Sequence, residues 1–347
     1  SFPTRRSSDL LKGKVLKSYS PVLVNWAITG KCNLRCKHCY GNYGIAQNTE
    51  LPKETIIKII DEMKQFGVQR INLEGGEPLF RNDIAEIIDY IYNNKFEMSL
   101  CTNGILLEKY FTEIKDKLDL IVMSLDGLEE NHNSLRGYGN FAKVLKALEL
   151  CKTNNKRTLI FSVLTKENIR DLDGLAELAK ELDTNITFNI SVAKLNIKNR
   201  REQLDKPDDE IYKDAIRKII SYKKKGYPIY YSFDNYKQAL NWKTFSKERL
   251  YIEDLEDKSW INKWIIPCTA GKYWCYIECN GDVFPCYQVV GTMKVKNAAE
   301  DGFIESFKYL SEVDYCLHCV NLTIAELNLQ TQLNLKSVFQ VAKNYLH

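Results

Sequence analysis

Residues 22–39 read Val22-Leu-Val-Asn-Trp-Ala-Ile-Thr29, Gly30-Lys31, then Cys32-Asn-Leu-Arg-Cys36-Lys-His-Cys39. The first eight are largely apolar, as in a buried strand, and three thiols follow directly. Working outward, residues 52–66 carry helical apolar spacing at Ile56, Ile59, Ile60 and Met63, and Gly67 is placed to stop the helix. Strands at 69–73, 97–101, 120–124, 159–164 and 186–192 then alternate with helices at 83–92, 106–115, 141–151 and 172–182. These make six strand–helix units or nearly so.

Strict alternation of short units implies parallel strands joined by crossover helices. Six units are too few for a closed eight-stranded barrel. The expected fold is α/β, a partial (β/α)6 TIM-like barrel, with functional residues where strands end and loops begin. Residues 194–210 are polar and charged and read as a solvated loop. A helix at 211–224 ends at Gly226, and after Pro267 cysteine, glycine and aromatic residues dominate. The expected organisation is a barrel over 11–225, then a linker and a small cysteine-rich domain over 226–347. Residues 1–10, Ser-Phe-Pro-Thr-Arg-Arg-Ser-Ser-Asp-Leu, look like one reading frame of a sequencing adapter and are set aside as an assembly scar. The true start is then expected to be missing.

Lys plus Arg is 49 against 45 Asp plus Glu, a formal charge of +4 on 347 residues. So small an excess does not suggest a dedicated nucleic-acid or membrane-surface binder. No apolar run approaches the roughly 18 residues of a membrane-spanning helix, and no secretory signal is visible. The 11 cysteines cannot all pair, and nine of them fall in two groups. That pattern points to metal in a reducing compartment, hence the cytoplasm, rather than to disulfides.

In the first group, Cys32, Cys36 and Cys39 lie within eight residues, short enough to wrap one metal centre. Three thiolates ligate three irons of a 4Fe–4S cube and leave the fourth open to a small molecule. Zinc is the alternative, but it prefers closed four-ligand sites, and His38 is too near in sequence to serve comfortably as the fourth ligand. The CxxxCxxC spacing resembles the signature of the radical S-adenosylmethionine (radical SAM) enzymes. Gly75-Gly76-Glu77-Pro78 after the second strand resembles that family's GGEP segment, and Thr102-Asn103-Gly104 and Ser124-Leu125-Asp126-Gly127 resemble its TNG and SLDG segments. The resemblance covers about residues 20 to 195. It implies that Gly75, Gly76, Glu77 and Pro78 hold the methionine amino group of S-adenosylmethionine, with Asn103, Ser124, Asp126 and Arg136 near its ribose and carboxylate and His38 at adenine. Turn chemistry accounts equally for the Asn, Asp and Gly residues, and a surface role for Arg136. Asn168 is a weaker candidate.

In the second group, Cys268, Gly281 and Cys286 follow C-x12-G-x4-C, and Cys316-Leu-His-Cys319 comes later. This resembles a SPASM domain shortened to its "twitch" form, which implies one auxiliary 4Fe–4S cluster on Cys268, Cys286, Cys316 and Cys319. Cys275 could replace one of these ligands, or Cys275 and Cys279 are buried structural thiols. A four-cysteine zinc site is the alternative for the whole group. Cys101 and Cys151 read as core.

The resemblance implies that a reduced cluster cleaves S-adenosylmethionine to a 5′-deoxyadenosyl radical that abstracts a substrate hydrogen. A flavodoxin- or ferredoxin-type electron donor is implied with it. The expected activity is modification of a ribosomally made peptide. The alternatives are a small-molecule oxidoreductase or cofactor-biosynthesis enzyme, and more remotely a non-catalytic zinc protein. Tyr287 stands where the sulfatase-maturing branch has an Asp base, which counts against that activity. The leader-binding winged-helix domain of many peptide modifiers is not seen. Tyr227 to Tyr236, rich in aromatics, reads as a strand and core, or as a substrate wall.

Overall fold

The computed structural model describes residues 20–44, 49–191, 207–260, 264–313 and 315–332. The expected tail at 1–10 and most of the expected loop, 194–206, lie outside them.

Strands β1 (Leu23–Thr29), β2 (Arg70–Gly75), β3 (Glu97–Thr102), β4 (Leu120–Ser124), β5 (Thr158–Leu164) and β6 (Asn185–Ile190) pair in sequence order, all parallel. Helices α1 (Lys53–Phe66), α2 (Ile84–Asn93), α3 (Leu107–Ile114), α4 (Glu129–Arg136), α5 (Asn140–Thr153) and α6 (Leu172–Glu181) make the crossovers. The sequence periodicity explains the packing. In α1, Ile56, Ile59, Ile60 and Met63 are buried, each side chain contributing about 1.5–3 kcal/mol. Gly67 closes that helix at φ 90°, a left-handed position that disfavours a side chain.

The strands alternate with period two. In β2, Ile71 and Leu73 are buried, while Arg70, Asn72 and Glu74 line an interior cavity. In β3, β4 and β5 the same face carries Ser99 and Cys101, Val122 and Ser124, and Phe161 and Val163. A parallel sheet with helices outside thus encloses a partly polar interior.

The remaining elements are α7 (Asp209–Lys224), α8 (Phe233–Leu240), β7 (Arg249–Leu250), β8 (Trp274–Ile277), β9 (Val283–Phe284), α9 (Phe303–Tyr309), β10 (His318–Cys319) and α10 (Leu322–Thr331). β8 pairs parallel with β1, and β9 antiparallel with β8, so the cysteine-rich segment extends the same sheet. β7 and β10 form a separate antiparallel pair. Among the described residues, no helix is long and apolar enough to cross a membrane.

Helix α7 starts at Asp209, where acidic residues favour an N-terminus; its polar first turn had read as loop. Helix α4 had no apolar periodicity to announce it, yet it buries Asn131, His132 and Leu135. The aromatic stretch does not form a strand throughout: Ser232 caps α8, whose Tyr236 is buried, while Tyr230 and Tyr231 line the cavity.

Candidate active site

The first cysteine group lies in the loop after β1, at the C-terminal mouth of the sheet, and Cys32, Cys36 and Cys39 all line the cavity. Burial pushes Cys32 up to about 12, against the Leu34 N–H, and the charges of Glu77, Cys36 and Cys39 push it further. Burial also raises Cys36, while the Arg136 guanidinium pulls it back. The three thiols therefore share one electrostatic environment.

Two strand ends hold this loop in place. The Gly76 and Glu77 amides donate to the carbonyls of Thr29 and Lys31, each at 2.9 Å. A Cβ on Gly76 would stand 2.1 Å from the Lys31 oxygen, so only glycine lets the two segments approach. Asn103 Nδ2 donates to Asn33 Oδ1 at 2.8 Å.

Glu77 is completely buried and accepts from Leu79 N at 3.1 Å, Thr102 Oγ1 at 2.7 Å and Asn103 N at 2.7 Å. Burial raises its pKa to about 7 against these three donors. It braces the ends of β2 and β3, and the cavity wall here is Glu74, Gly75 and Gly76. Pro78 is buried in the following turn.

Opposite, Asp126 is fully buried behind the wall. Its Oδ2 takes Arg136 Nε and lies 2.9 Å from His38 Nε2, while its Oδ1 accepts Val163 N at 2.6 Å. Burial alone would raise its pKa, but Arg136 and His38 hold it well below the usual carboxylate range. Arg136 also reaches Cys36 Sγ at 3.9 Å. Ser124, His38 and Arg136 face the cavity, and His38 Nδ1 is buried without a hydrogen-bond partner. Asn168 is internal, donating to the Asp126 and Val163 carbonyls.

The second group comes from three loop positions, Cys268, Cys286 and Cys316, and from Cys319 in β10. Burial raises Cys319, and Cys268, Cys316 and Cys286 lie close enough to raise it further. Burial pushes Cys268 up to about 12, again with Cys316 adding to it. Cys275, within β8, is raised by burial alone, and Cys279 by burial and then by Glu278. Cys268, Cys286, Cys316 and Cys319 thus lie close enough to act on one another electrostatically, and Cys275 stands apart from them.

Burial, and next the neighbouring Cys286, push the pKa of Tyr287 well above its ordinary value. Its hydroxyl accepts from Asn321 Nδ2 at 2.6 Å.

The cavity beside the first cysteine group has a volume of about 350 Å³, within the range of small-molecule sites. Sequence reading did not single out Glu74, although its period-two relation to Arg70 and Asn72 placed it on the interior face.

Residues 26–179, less than half the chain, match the family model described as the radical SAM superfamily. A probable GTP 3′,8-cyclase of Methanococcus maripaludis is 42% identical over 127 residues, 35% of this chain and 43% of that protein. The chain therefore matches less than half of that relative's length. The mycofactocin maturase MftC of Mycobacterium ulcerans is 27% identical over 278 residues, 77% of this chain and 68% of that protein. Streptococcus suis SuiB bound to S-adenosylmethionine superposes with a TM-score of 0.65 and 18% identity, over 86% of this chain and 68% of that one. The superposition shows a shared fold, and residues 26–179 carry the family match.

Proposed function

We propose that this chain is a radical SAM enzyme that modifies a peptide. The observation that carries the reading is the gathering of Cys32, Cys36 and Cys39 at the mouth of a cavity, with Gly75, Gly76, Ser124, His38 and Arg136 around it. The residues fit the implied groups. Three thiols suit an iron–sulfur cube with one open iron, and a buried, unpartnered His38 Nδ1 is available to a ligand. Among the described residues, no three donor side chains gather tightly enough to hold a single metal ion.

Cys32, Cys36 and Cys39 would hold a 4Fe–4S cluster, and Gly75, Gly76, Asn103, Ser124, Arg136 and His38 would surround S-adenosylmethionine. Together these groups supply one-electron cleavage of a sulfonium and removal of a substrate hydrogen. The chain's own part is positional. Arg136 favours the thiolate of Cys36, as iron ligation requires, while Asp126 fixes Arg136 and His38. Glu77 and Pro78 brace the turn from behind. The apolar side chains among the cavity lining exclude water.

Cys268, Cys286, Cys316 and Cys319 would hold a second 4Fe–4S cluster in a twitch-type segment. A peptide substrate is supported by the mycofactocin maturase, whose similarity extends over 77% of this chain, whereas that of the cyclase is confined to 35%. A flavodoxin- or ferredoxin-type protein would supply electrons.

Anaerobic reconstitution tests the reading. About eight irons per chain are expected, and about four in a Cys32→Ala, Cys36→Ala, Cys39→Ala variant. Native protein given dithionite and S-adenosylmethionine should form 5′-deoxyadenosine. Zinc in place of iron, without sulfur-to-iron absorbance, would overturn it.

A further inference from the structure

Four of the side chains lining the cavity are arginine or glutamate: Arg70, Arg136, Glu74 and Glu326. Both arginines are neutralised by carboxylates in ion pairs, Arg70 by Glu97 and Arg136 by Asp126. Among the described residues, neither glutamate is in an ion pair. Among the described residues, the side chain of Glu74 enters no hydrogen bond or ion pair, and it bears electrostatically on Tyr40, Tyr276, Tyr287, Cys101 and Glu278. Glu326, 2% exposed, accepts from Ser232 N, Ser232 Oγ and Asn235 Nδ2 through Oε2, each at 2.9 Å. Its Oε1 is buried with no partner. Lys223 eases the charge of Glu326, but its ammonium donates to the Ile229 carbonyl at 2.5 Å.

The two carboxylates come from different parts of the fold, Glu74 from β2 and Glu326 from α10, a helix packed on β6 at the far end of the parallel run. Both line one cavity; burial, with Glu278 adding to it, pushes Glu74 up to about 8, and burial raises Glu326, so a cation beside either carboxyl would restore the charged form that burial disfavours. Tyr40 and Tyr287 beside Glu74 add aromatic surfaces, which attract a cation further. Val122, Leu159 and Phe161 offer an apolar wall to a methylene stem.

We propose that the cavity receives a cationic side chain of the substrate, the ammonium of a lysine or the guanidinium of an arginine, held by Glu74, with Glu326 lining the same cavity. The proposal rests on the enzymatic reading above and names its substrate class. A carboxylate with no internal partner gains from a cation what it lost on leaving water.

The test is a binding titration on reconstituted protein loaded with S-adenosylmethionine, read by saturation-transfer NMR. The probes are the Nα-acetyl N-methylamides of lysine, arginine and norleucine. At least one cationic probe should bind about ten-fold more tightly than norleucine, and whichever prevails identifies the group. Glu74→Gln should bring that preference within about two-fold. Glu326→Gln, a second variant should the first not fold, should weaken the cationic probe and spare norleucine. Equal binding of all three probes, or a preference that survives Glu74→Gln, overturns the proposal, as does equal weakening of cationic and norleucine probes by Glu326→Gln. Iron content on the same preparation separates the two readings: protein without iron defeats the enzymatic one, while the probe ratios still decide the role of Glu74.

Discussion

The ring of Tyr40 stands 5.0 Å from that of Tyr287, centroid to centroid, at 50°. Tyr40 follows Cys39 and Tyr287 follows Cys286, so one aromatic contact joins the two cysteine groups. Tyr43 extends the joint: it is edge-on to Tyr40, and its hydroxyl lies 2.7 Å from that of Tyr276. Truncating Tyr287 to Ala should cost about 3–5 kcal/mol in urea unfolding of the apoprotein, because it opens a cavity in this wall. Tyr287→Phe should cost about 1 kcal/mol, the loss of the Asn321 bond.

Arg136→Ala should be more damaging than its place on a polar helix suggests. It leaves Asp126 buried with much of its compensation removed, which costs about 3–5 kcal/mol. The same denaturation measurement checks this. Arg136→Lys should recover only part, since one ammonium cannot reproduce the planar contacts to Asp126 and Cys36.

Gly76→Ala should displace the cysteine loop, because the new Cβ would meet the Lys31 carbonyl at 2.1 Å. Iron should fall toward about four per chain, while Gly67→Ala, where nothing lies within 4 Å, should keep full iron loading.

Cys286→Ala should also halve the iron, whereas Cys275→Ala should leave about eight atoms per chain. Retained iron in Cys286→Ala together with loss in Cys275→Ala would reassign the ligand.

Acid sensitivity should arise at His132. Burial, with Arg136 beside it and His38 adding to the effect against the pull of Asp126, lowers its pKa from 6.5 to about 4. The unfolded chain therefore binds a proton between those values that the folded one does not. Stability is full above pH 6.5 and falls as the pH drops toward 4, by about 2 kcal/mol at pH 5. Urea midpoints at pH 7.5 and 5 should show this loss, and His132→Gln should flatten it.

The interior face of β2 shows how far the sequence reached. The period-two repeat of β2 places Arg70, Asn72 and Glu74 on one side, but Glu74 lies beyond the strand expected at 69–73, and nothing in the repeat says which of the three would lack a partner. Asn72 is bonded to Asn25 and Ser99 on the neighbouring strands, and Arg70 to Glu97. Those partners lie more than 20 residues away, so nothing local marks Glu74 as the one left over. Helix α4 was missed for a related reason: its buried face includes Asn131 and His132, held by polar contacts that no apolar spacing reveals.

The sequence alone determined whatever is encoded within one or two turns of chain. Apolar periodicity determined the six strands and most of their helices, and eight consecutive residues determined the first thiol group. Both rest on local geometry, the 3.6- and two-residue repeats and the reach of a short loop. Only the tertiary structure decided that β8 would pair with β1, that Cys268 and Cys286 would meet Cys316 and Cys319, and that Glu77 would be a brace while Glu74 faced the cavity. Each of these depends on contacts between distant segments, where burial and the donors already in place determine what a side chain is free to do.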